Sequence, residues 1–257
     1  MRSCCSTGGR NGGFDLAVIG AGSAGFSAAI TAAEQGARVA LIGHGTIGGT
    51  CVNVGCVPSK TLIRAAESLH HAQAAARFAG IRGEARLDDW QSLVAQKDEL
   101  VAGLRQAKYV DLLPAYNTIA CIEGRARLSP DGIDANGERL WVGKTVVATG
   151  ASAARPSIRG IEDVDYLTST TALELEQLPR SMLVIGGGYI GCELAQMFAR
   201  AGVAVALVTR SRLLPEGEPR SLRRWPATCG RRASTSATAC LIAGSAAPRP
   251  ASPSTSA

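Results

Sequence analysis

Two glycine-rich turns constrain the fold of this 257-residue chain more than any other feature of its sequence. Each follows a short apolar run typical of a strand and precedes a small-residue run typical of a helix. The turns lie 166 residues apart, and their glycines are Gly20, Gly22 and Gly25, then Gly186, Gly188 and Gly191. Such a turn lets the backbone approach a pyrophosphate, and the helix N-terminus offers unpaired N–H groups to it. We therefore predict an α/β protein with two Rossmann-like dinucleotide-binding folds, the second incomplete.

The distribution of charge argues against a nucleic-acid-binding surface. Lys and Arg number 27 against 21 Asp and Glu, which gives a net charge of +6. The whole excess comes from six arginines after residue 219, so residues 1–219 are neutral overall. No apolar run is long enough to span a bilayer, and no secretory signal opens the sequence. We expect no nucleic-acid partner, no membrane partner and a cytoplasmic location, where cysteines stay reduced unless they are catalytic or bind metal.

A second Gly-rich segment carries two cysteines five positions apart, Cys51 and Cys56, followed by Lys60. On an ideal helix five residues place the side chains about 140° apart, so the thiols can pair only where the helix is irregular. Gly55 and Pro58 favour such an irregular first turn. Thiolates beside a helix N-terminus and a cation are stabilised, which favours an exchangeable, redox-active disulfide. Structural zinc or inert buried thiols are the alternatives.

The two turns, with G-G-T-C-V-N-V-G-C-V-P-S-K between them, resemble the flavin-dependent pyridine nucleotide-disulfide oxidoreductases over about residues 14–219. Within that family this string and Q-A-K-Y at residues 106–109 are most similar to the mercuric reductases. The resemblance implies FAD in the first fold, NADPH in the second, and electrons passed through a disulfide to Hg(II), giving elemental mercury. Glutathione reductase and dihydrolipoamide dehydrogenase differ only in substrate and are alternatives. So is a non-catalytic protein that binds soft metals through its thiols.

The resemblance also implies roles for single residues. Cys56 would contact the flavin and Cys51 would exchange with substrate, so both would hold Hg(II) transiently. Glu193 would pair with Lys60 or with the nicotinamide amide, and Tyr189 would cover the flavin until nicotinamide displaces it. The residues assigned to FAD are Gly20, Gly22, Ser23, Ala24, Gly25, Gly49, Thr50, Lys60, Thr149 and Gly150. Those assigned to the nicotinamide dinucleotide are Gly186, Gly188, Tyr189, Ile190, Gly191, Arg210 and Arg212.

Neither strand that follows a glycine turn ends in the carboxylate that commonly binds a ribose. After the first βαβ unit the chain continues with Gly43 and His44, and His44 is either a substitute or a solvent-exposed loop residue. After the second, Arg210 and Arg212 either pair with the 2′-phosphate of NADP or lie in a solvated loop. Because no carboxylate competes there, NADPH is predicted over NAD.

We divide the chain into a flexible leader (1–13), a FAD-binding domain (14–170), the start of an NADP-binding domain (171–219) and a disordered tail (220–257). The tail has no aliphatic periodicity and resembles the product of a shifted reading frame. The dimerisation domain and terminal cysteine pair of intact family members are missing, so we expect weak FAD retention, no homodimer and little turnover. Cys121 and Cys192 are predicted to be buried, whereas Cys4 and Cys5 could bind a soft metal.

Overall fold

A computed structural model describes much of the chain with its side chains, over residues 13–130, 132–210 and 212–217. Beyond residue 217 it describes only two strands. The leader with Cys4 and Cys5, and the remainder of the tail, lie outside the described residues. The chain divides into two compact units, one comprising residues up to 58 with 96–170, the other 59–95 with those from 171 onward. The division into functional domains stays a prediction.

The helices and strands are named in chain order. The helices are α1 (Ser23–Glu34), α2 (Gly49–Asn53), α3 (Cys56–Ala74), α4 (Trp90–Arg105) and α5 (Tyr189–Arg200). The strands before residue 150 are β1 (Phe14–Ile19), β2 (Val39–Gly43), β3 (Ile119–Glu123), β4 (Ala126–Ser129), β5 (Gly132–Ala135), β6 (Glu138–Leu140) and β7 (Val142–Val147). The later strands are β8 (Ser181–Ile185), β9 (Ala204–Thr209), β10 (Cys229–Ser234) and β11 (Ala237–Ile242).

The first unit is built on a parallel sheet with strand order β3-β2-β1-β7. Helix α1 connects β1 to β2, so the predicted first βαβ unit is confirmed. On one face of the sheet Val18 and Leu41 pack with Phe26 of α1. On the other face Ile42 packs with Ile133 of an antiparallel sheet formed by β4, β5 and β6. Both faces are therefore covered, as parallel sheets require.

The second unit contains the other predicted βαβ unit, in which β8 and β9 are parallel and α5 connects them. Its core includes Leu62 of α3, Trp90 of α4 and Phe198 of α5, all nearly inaccessible to solvent. The Trp90 indole N–H donates to the Leu175 carbonyl at 2.7 Å, which satisfies the polar atom of this buried ring. The α/β class with two Rossmann-like units is thus confirmed.

Two segments of the tail form strands, whereas we expected no regular structure after residue 219. Strand β11 pairs antiparallel with β9, and β10 pairs antiparallel with β11. The physical reason is that β9 would otherwise present an edge with unpaired N–H and C=O groups, to which any extended segment can add. The expectation of a structureless tail is therefore wrong for these two segments.

Apolar spacing in the sequence predicts two long amphipathic helices, over residues 61–78 and 88–113, and the bounds of both differ in the structure. Helix α3 begins at Cys56, before the predicted start at Thr61. The earlier start is possible because Pro58 falls in the first turn, where its missing N–H is not needed. Helix α4 ends at Arg105 in place of Leu113, and a π-helical turn follows over Gln106–Val110. Within the described part of the chain no helix combines the length and apolarity needed to cross a bilayer.

Candidate functional site

The first glycine turn, between β1 and α1, is closed tightly by its own backbone. Gly20 has φ +120°, and a Cβ there would overlap the Ala148 carbonyl group. A Cβ at Gly25, in the first turn of α1, would overlap the Gly20 carbonyl oxygen. Both positions therefore require glycine for reasons internal to the fold.

Gly22, between those two glycines, is not required by packing. A Cβ there would meet only the Gly49 Cα, at an ordinary 3.5 Å. Gly22 is the N-cap of α1, and no side chain caps the helix or places an acidic group in its first turn. The side chains of Ser23 and Ala24 are exposed. This open, uncapped helix end fits an anionic phosphate group, because its first N–H groups have no intrahelical partner.

The segment that leads to the cysteines begins against this turn. The Gly48 N–H donates to the Ala21 carbonyl at 2.9 Å, and Gly48 forms an isolated parallel bridge with Gly22. A Cβ at Gly49 would lie 2.6 Å from the Gly22 Cα, so glycine at position 49 lets the two backbones touch. Thr50 follows with an exposed side chain. The predicted FAD residues of both segments therefore lie together.

Thr149 and Gly150 reach the same edge of the sheet from β7. Strand β7 is parallel to β1, and the Ala148 N–H donates to the Ile19 carbonyl at 2.8 Å. The carboxyl ends of the two strands are therefore adjacent, and this is the edge at which open α/β sheets bind ligands.

Cys51 and Cys56 lie on either side of a break in the helix. Cys51 belongs to α2 and Cys56 begins α3, while Val54, with φ −140°, and Gly55 separate the two helices. The irregular turn that pairing requires is therefore present. Both cysteines are exposed and in the thiol form, and the two thiols share a hydrogen bond. The structure thus brings the two sulfurs into contact.

The Cys51 thiol does not have the lowered pKa that the sequence predicts. The hydrogen bond with the Cys56 thiol raises the pKa of Cys51, and burial and the charge of Cys56 raise it further. The Cys56 backbone N–H and the nearby Lys108 lower it, without reversing the shift. The expectation of a stabilised thiolate is wrong for Cys51, because a second thiol opposes ionisation more than the cation assists it.

Asn53, two residues after Cys51, anchors the segment that carries the two cysteines, residues 48–56, which we call the cysteine segment. Asn53 was not singled out from the sequence. Its Nδ2 donates to the Ile47 carbonyl and to the Gly49 carbonyl, each at 2.9 Å. Its Oδ1 accepts a hydrogen bond from the Arg105 guanidinium at 2.9 Å. No local sequence pattern indicates this contact, because Arg105 lies 52 positions further along the chain.

Tyr109 is the second anchor that sequence reasoning missed. Its hydroxyl and the Ser23 Oγ share a hydrogen bond of 2.9 Å, and its ring packs edge-on against Phe26. A Cβ at Gly48 would lie 3.2 Å from the Tyr109 ring. Tyr109 is the last residue of the Q-A-K-Y string. That string supports the resemblance, but no role was predicted for Tyr109.

In the second unit, Lys60 and Glu193 form an ion pair, with 2.5 Å between Nζ and Oε2. The side chains are 54% and 43% exposed. A pair so open to solvent contributes at most about 1 kcal/mol to stability. The contact implied by the resemblance is present, and its part in catalysis stays a prediction.

The second glycine turn, between β8 and α5, repeats the steric pattern of the first. Gly186 has φ +122°, and a Cβ at Gly191 would overlap the Gly186 carbonyl oxygen. Gly188 is the uncapped N-cap of α5, and a Cβ there would meet no described atom within 4 Å beyond its chain neighbours. Tyr189 and Ile190, which follow it, are exposed. This helix end too fits a phosphate.

Arg210 and Arg212 lie beside the second turn. Because β8 and β9 are parallel, the residues that follow them meet at one edge of the sheet. The Leu214 N–H donates to the Gly187 carbonyl at 2.6 Å, which holds this segment against the turn. Arg210 is exposed, whereas the Arg212 guanidinium donates to the Pro215 carbonyl at 2.5 Å.

His44 is an exposed loop residue after β2. A carboxylate does reach this edge of the sheet, from the neighbouring strand: Glu123 lies opposite Gly43 in register and is exposed. The spacing of residues along the sequence could not reveal it, because a long stretch of chain separates β2 from β3.

Cys192 and Cys121 lie in the packed part of the fold. Cys192 is buried as predicted, its thiol donates to the Gly187 carbonyl at 3.5 Å, and burial raises its pKa. Cys121 is half-buried in β3. In the part of the chain that the structure describes, no group of three or more His, Cys, Asp or Glu side chains is placed to hold a metal ion.

The chain is similar in sequence to known proteins. The family model described as pyridine nucleotide-disulphide oxidoreductase matches residues 14–229. The chain is 49% identical over 208 residues to the mercuric reductase of Lysinibacillus sphaericus, a match that covers 80% of this chain and 38% of that protein. It is 46% identical over 213 residues to the mercuric reductase of Streptomyces lividans, covering 80% and 45%. The chain thus spans less than half the length of these curated relatives.

A solved structure shows the same fold. The Cu(II) complex of the HOCl-induced flavoprotein disulfide reductase RclA from Escherichia coli aligns with a TM-score of 0.69 and 29% identity. The alignment covers 89% of this chain and 54% of that chain. Since the family model matches most of the sequence, the chain belongs to the pyridine nucleotide-disulphide oxidoreductases.

Proposed function

We propose that this chain supplies the dinucleotide-binding turns and the reactive dithiol of a flavin-dependent mercuric reductase. The reaction is NADPH plus Hg(II) giving NADP+, a proton and elemental mercury. One observation carries the proposal: the Cys51 and Cys56 thiols touch each other on a segment whose backbone packs against the first glycine turn. The similarity to two proteins named mercuric reductase supports Hg(II) as the substrate.

The first unit offers the residues that would hold FAD. The N–H groups at the start of α1 would bind its pyrophosphate, and the absent Cβ at Gly22 would admit it. Gly49, Thr50, Thr149 and Gly150 line the same edge, and Ser23 and Ala24 open the helix. When bound, FAD supplies a two-electron carrier between the nicotinamide and the disulfide.

The second unit offers the corresponding residues for NADPH. The uncapped start of α5 would bind the pyrophosphate of the dinucleotide at Gly188. Arg210, exposed beside this turn, would pair with the 2′-phosphate that distinguishes NADPH from NADH. Tyr189 and Ile190 are exposed at the same helix end and would contact the nicotinamide half. Lys60 and Glu193 would hold each other in place through their ion pair.

The two thiols suit a soft metal ion. Hg(II) binds two thiolates, so Cys51 and Cys56 would each exchange a proton for a bond to mercury. Because the pKa of Cys51 is raised, its sulfur carries a proton near neutral pH, and that proton would leave as the Hg–S bond forms. Both side chains are exposed, which gives the metal access to them.

The test is mercury-dependent oxidation of NADPH by the purified chain supplied with FAD. We expect oxidation above the mercury-free rate, and we expect Cys51→Ser and Cys56→Ser each to abolish it, because one thiol can neither form the disulfide nor hold the ion. The matched control is Cys121→Ser, which changes a half-buried cysteine of β3 and should keep the wild-type rate.

A full mercury-dependent rate in Cys51→Ser would contradict the proposal. A chain that binds Hg(II) through both thiols but oxidises no NADPH would instead support the non-catalytic soft-metal-binding alternative.

A further inference from the structure

The Asn53 side chain is the point at which the cysteine segment is held. Its amide N–H groups donate to two backbone carbonyls, that of Ile47, before α2, and that of Gly49, the first residue of α2. This pattern requires the amide to lie with Nδ2 toward the segment and Oδ1 away from it. An amide rotated by half a turn would place Oδ1 against two carbonyl oxygens, which repel it.

Arg105 fixes the amide in that orientation. Its guanidinium donates to Asn53 Oδ1 at 2.9 Å in a partly buried environment. A guanidinium can only donate hydrogen bonds. It therefore binds the amide when Oδ1 faces it and not when the amide NH2 group does. The contact therefore selects one of the two amide orientations, and through it the two hydrogen bonds that hold the residues before Cys51.

Arg105 is well placed to be rigid. It is the last residue of α4, a helix of 16 residues, and the π turn that follows carries Tyr109. Tyr109 is buried and bound to Ser23, so the chain on the far side of Arg105 is also held. Single π turns inside helices occur frequently at functional sites.

We propose that Arg105 is a positioning residue for the Cys51 and Cys56 pair and acts on it through the Asn53 amide. The inference rests on the proposed function only in taking these two thiols as a redox pair. Without Arg105 the amide loses one of its three hydrogen bonds, so its donors to the carbonyls of residues 47 and 49 are held less firmly and Cys51 moves relative to Cys56. When the two thiols are held together less firmly, the disulfide between Cys51 and Cys56 is less stable. That disulfide is then easier to reduce.

The test is the equilibrium of the full chain with glutathione. Each disulfide formed consumes one oxidised glutathione and releases two reduced ones, while Cys51 and Cys56 each lose a hydrogen. Alkylation of the remaining thiols and peptide mass spectrometry give the oxidised fraction of this pair alone. We expect Arg105→Met to lower the equilibrium constant about tenfold, which corresponds to about 30 mV for this two-electron couple.

Asn53→Asp should lower the equilibrium constant by at least as much, because a carboxylate cannot donate to either carbonyl. Arg105→Lys keeps one donor and should remain within about threefold of the wild type. The matched control is Arg64→Met, which removes an exposed arginine paired with Glu67 on α3 and should leave the constant unchanged.

An unchanged equilibrium constant in folded Arg105→Met overturns the proposal. Loss of the far-ultraviolet circular dichroism signal in that variant overturns it too, because Arg105 would then be a residue of the fold. The measurement needs neither NADPH nor mercury, so absence of mercury-dependent oxidation with a tenfold shift would contradict the proposed function and leave the role of Arg105 standing.

Discussion

The two glycine turns obey one steric rule but have different surroundings. In each, the first and last glycines are required by the backbone, since Gly20 and Gly186 have positive φ and a Cβ at Gly25 or Gly191 would overlap a carbonyl oxygen. In each, the middle glycine has room for a side chain. The fold therefore explains two glycines of every three, and we propose that the third lets a ligand approach the backbone.

The two turns differ in how closely other segments of the protein surround them. The first turn is bounded by the Ala148 carbonyl, by Gly49 of the cysteine segment and by Tyr109 through Ser23. Among the described residues, the second is bounded on one side, where Gly187 meets Thr209 and the Leu214 N–H. We propose that the more enclosed turn binds FAD and that the more open one binds NADPH.

The largest expected effect tests the steric rule itself. Gly25→Ala and Gly191→Ala should each lower the free energy of unfolding by about 3 kcal/mol, because the new methyl group displaces a carbonyl group in a packed turn. Denaturant titration followed by circular dichroism measures both. A similar loss in the two variants would show that the rule is common to both turns.

The matched control is Gly103→Ala in α4, where a Cβ would meet no described atom within 4 Å apart from the backbone of its own helix. That change should raise the free energy of unfolding by up to about 1 kcal/mol, since alanine favours helix. Wild-type stability in either turn variant would show that the turn relaxes, and the steric argument would fail.

The middle glycines separate stability from binding. Gly22→Ala should weaken FAD binding and Gly188→Ala should weaken NADPH binding, each by at least tenfold, or about 1.4 kcal/mol. Neither should reduce stability, because the Cβ meets at most an ordinary contact. Calorimetry with each dinucleotide gives the affinities, and each variant is the control for the other. Unchanged affinity for both dinucleotides would remove the ligand explanation for these glycines.

The smallest effect concerns the arginine beside the open turn. Arg210→Glu should weaken NADPH binding about fivefold and change NADH binding little, because an exposed pair with a phosphate is worth about 1 kcal/mol. Arg180→Glu is the control, since Arg180 is also exposed but precedes β8, at the opposite edge of the sheet. An equal loss for NADPH and NADH would mean that Arg210 does not read the 2′-phosphate.

The fold could be predicted wherever periodicity and glycine spacing determine it. Both βαβ units follow from apolar runs joined by a glycine turn, because local sequence specifies strand, turn and helix there. The sequence does not indicate the short strand β5, because its four residues lie between two turn signals, at residues 129–132 and 136–137, and bury only two side chains. The strands β10 and β11 were missed because their pairing partner is the edge of β9, which no local pattern of the tail reveals.

The site residues likewise divide into those that a local sequence pattern indicates and those that depend on contacts between distant segments. The glycines, the two cysteines and Lys60 belong to strings whose spacing carries the chemistry. The roles of Asn53 and Arg105 depend on one contact between distant segments, and Glu123 reaches the ligand edge only through the register of β3 with β2. The pKa of Cys51 was predicted with the wrong sign because the nearest group is a second thiol, which sequence spacing does not place.

The most direct test of the central claim is the reduction of the Cys51–Cys56 disulfide by NADPH, without oxygen, in the presence and absence of FAD. NADPH gives a hydride, a proton is taken up, and two thiols form, which differential alkylation and mass spectrometry count at these two positions. We predict two new thiols with FAD and none without it. A disulfide that stays intact with FAD bound and NADPH in excess would contradict the claim.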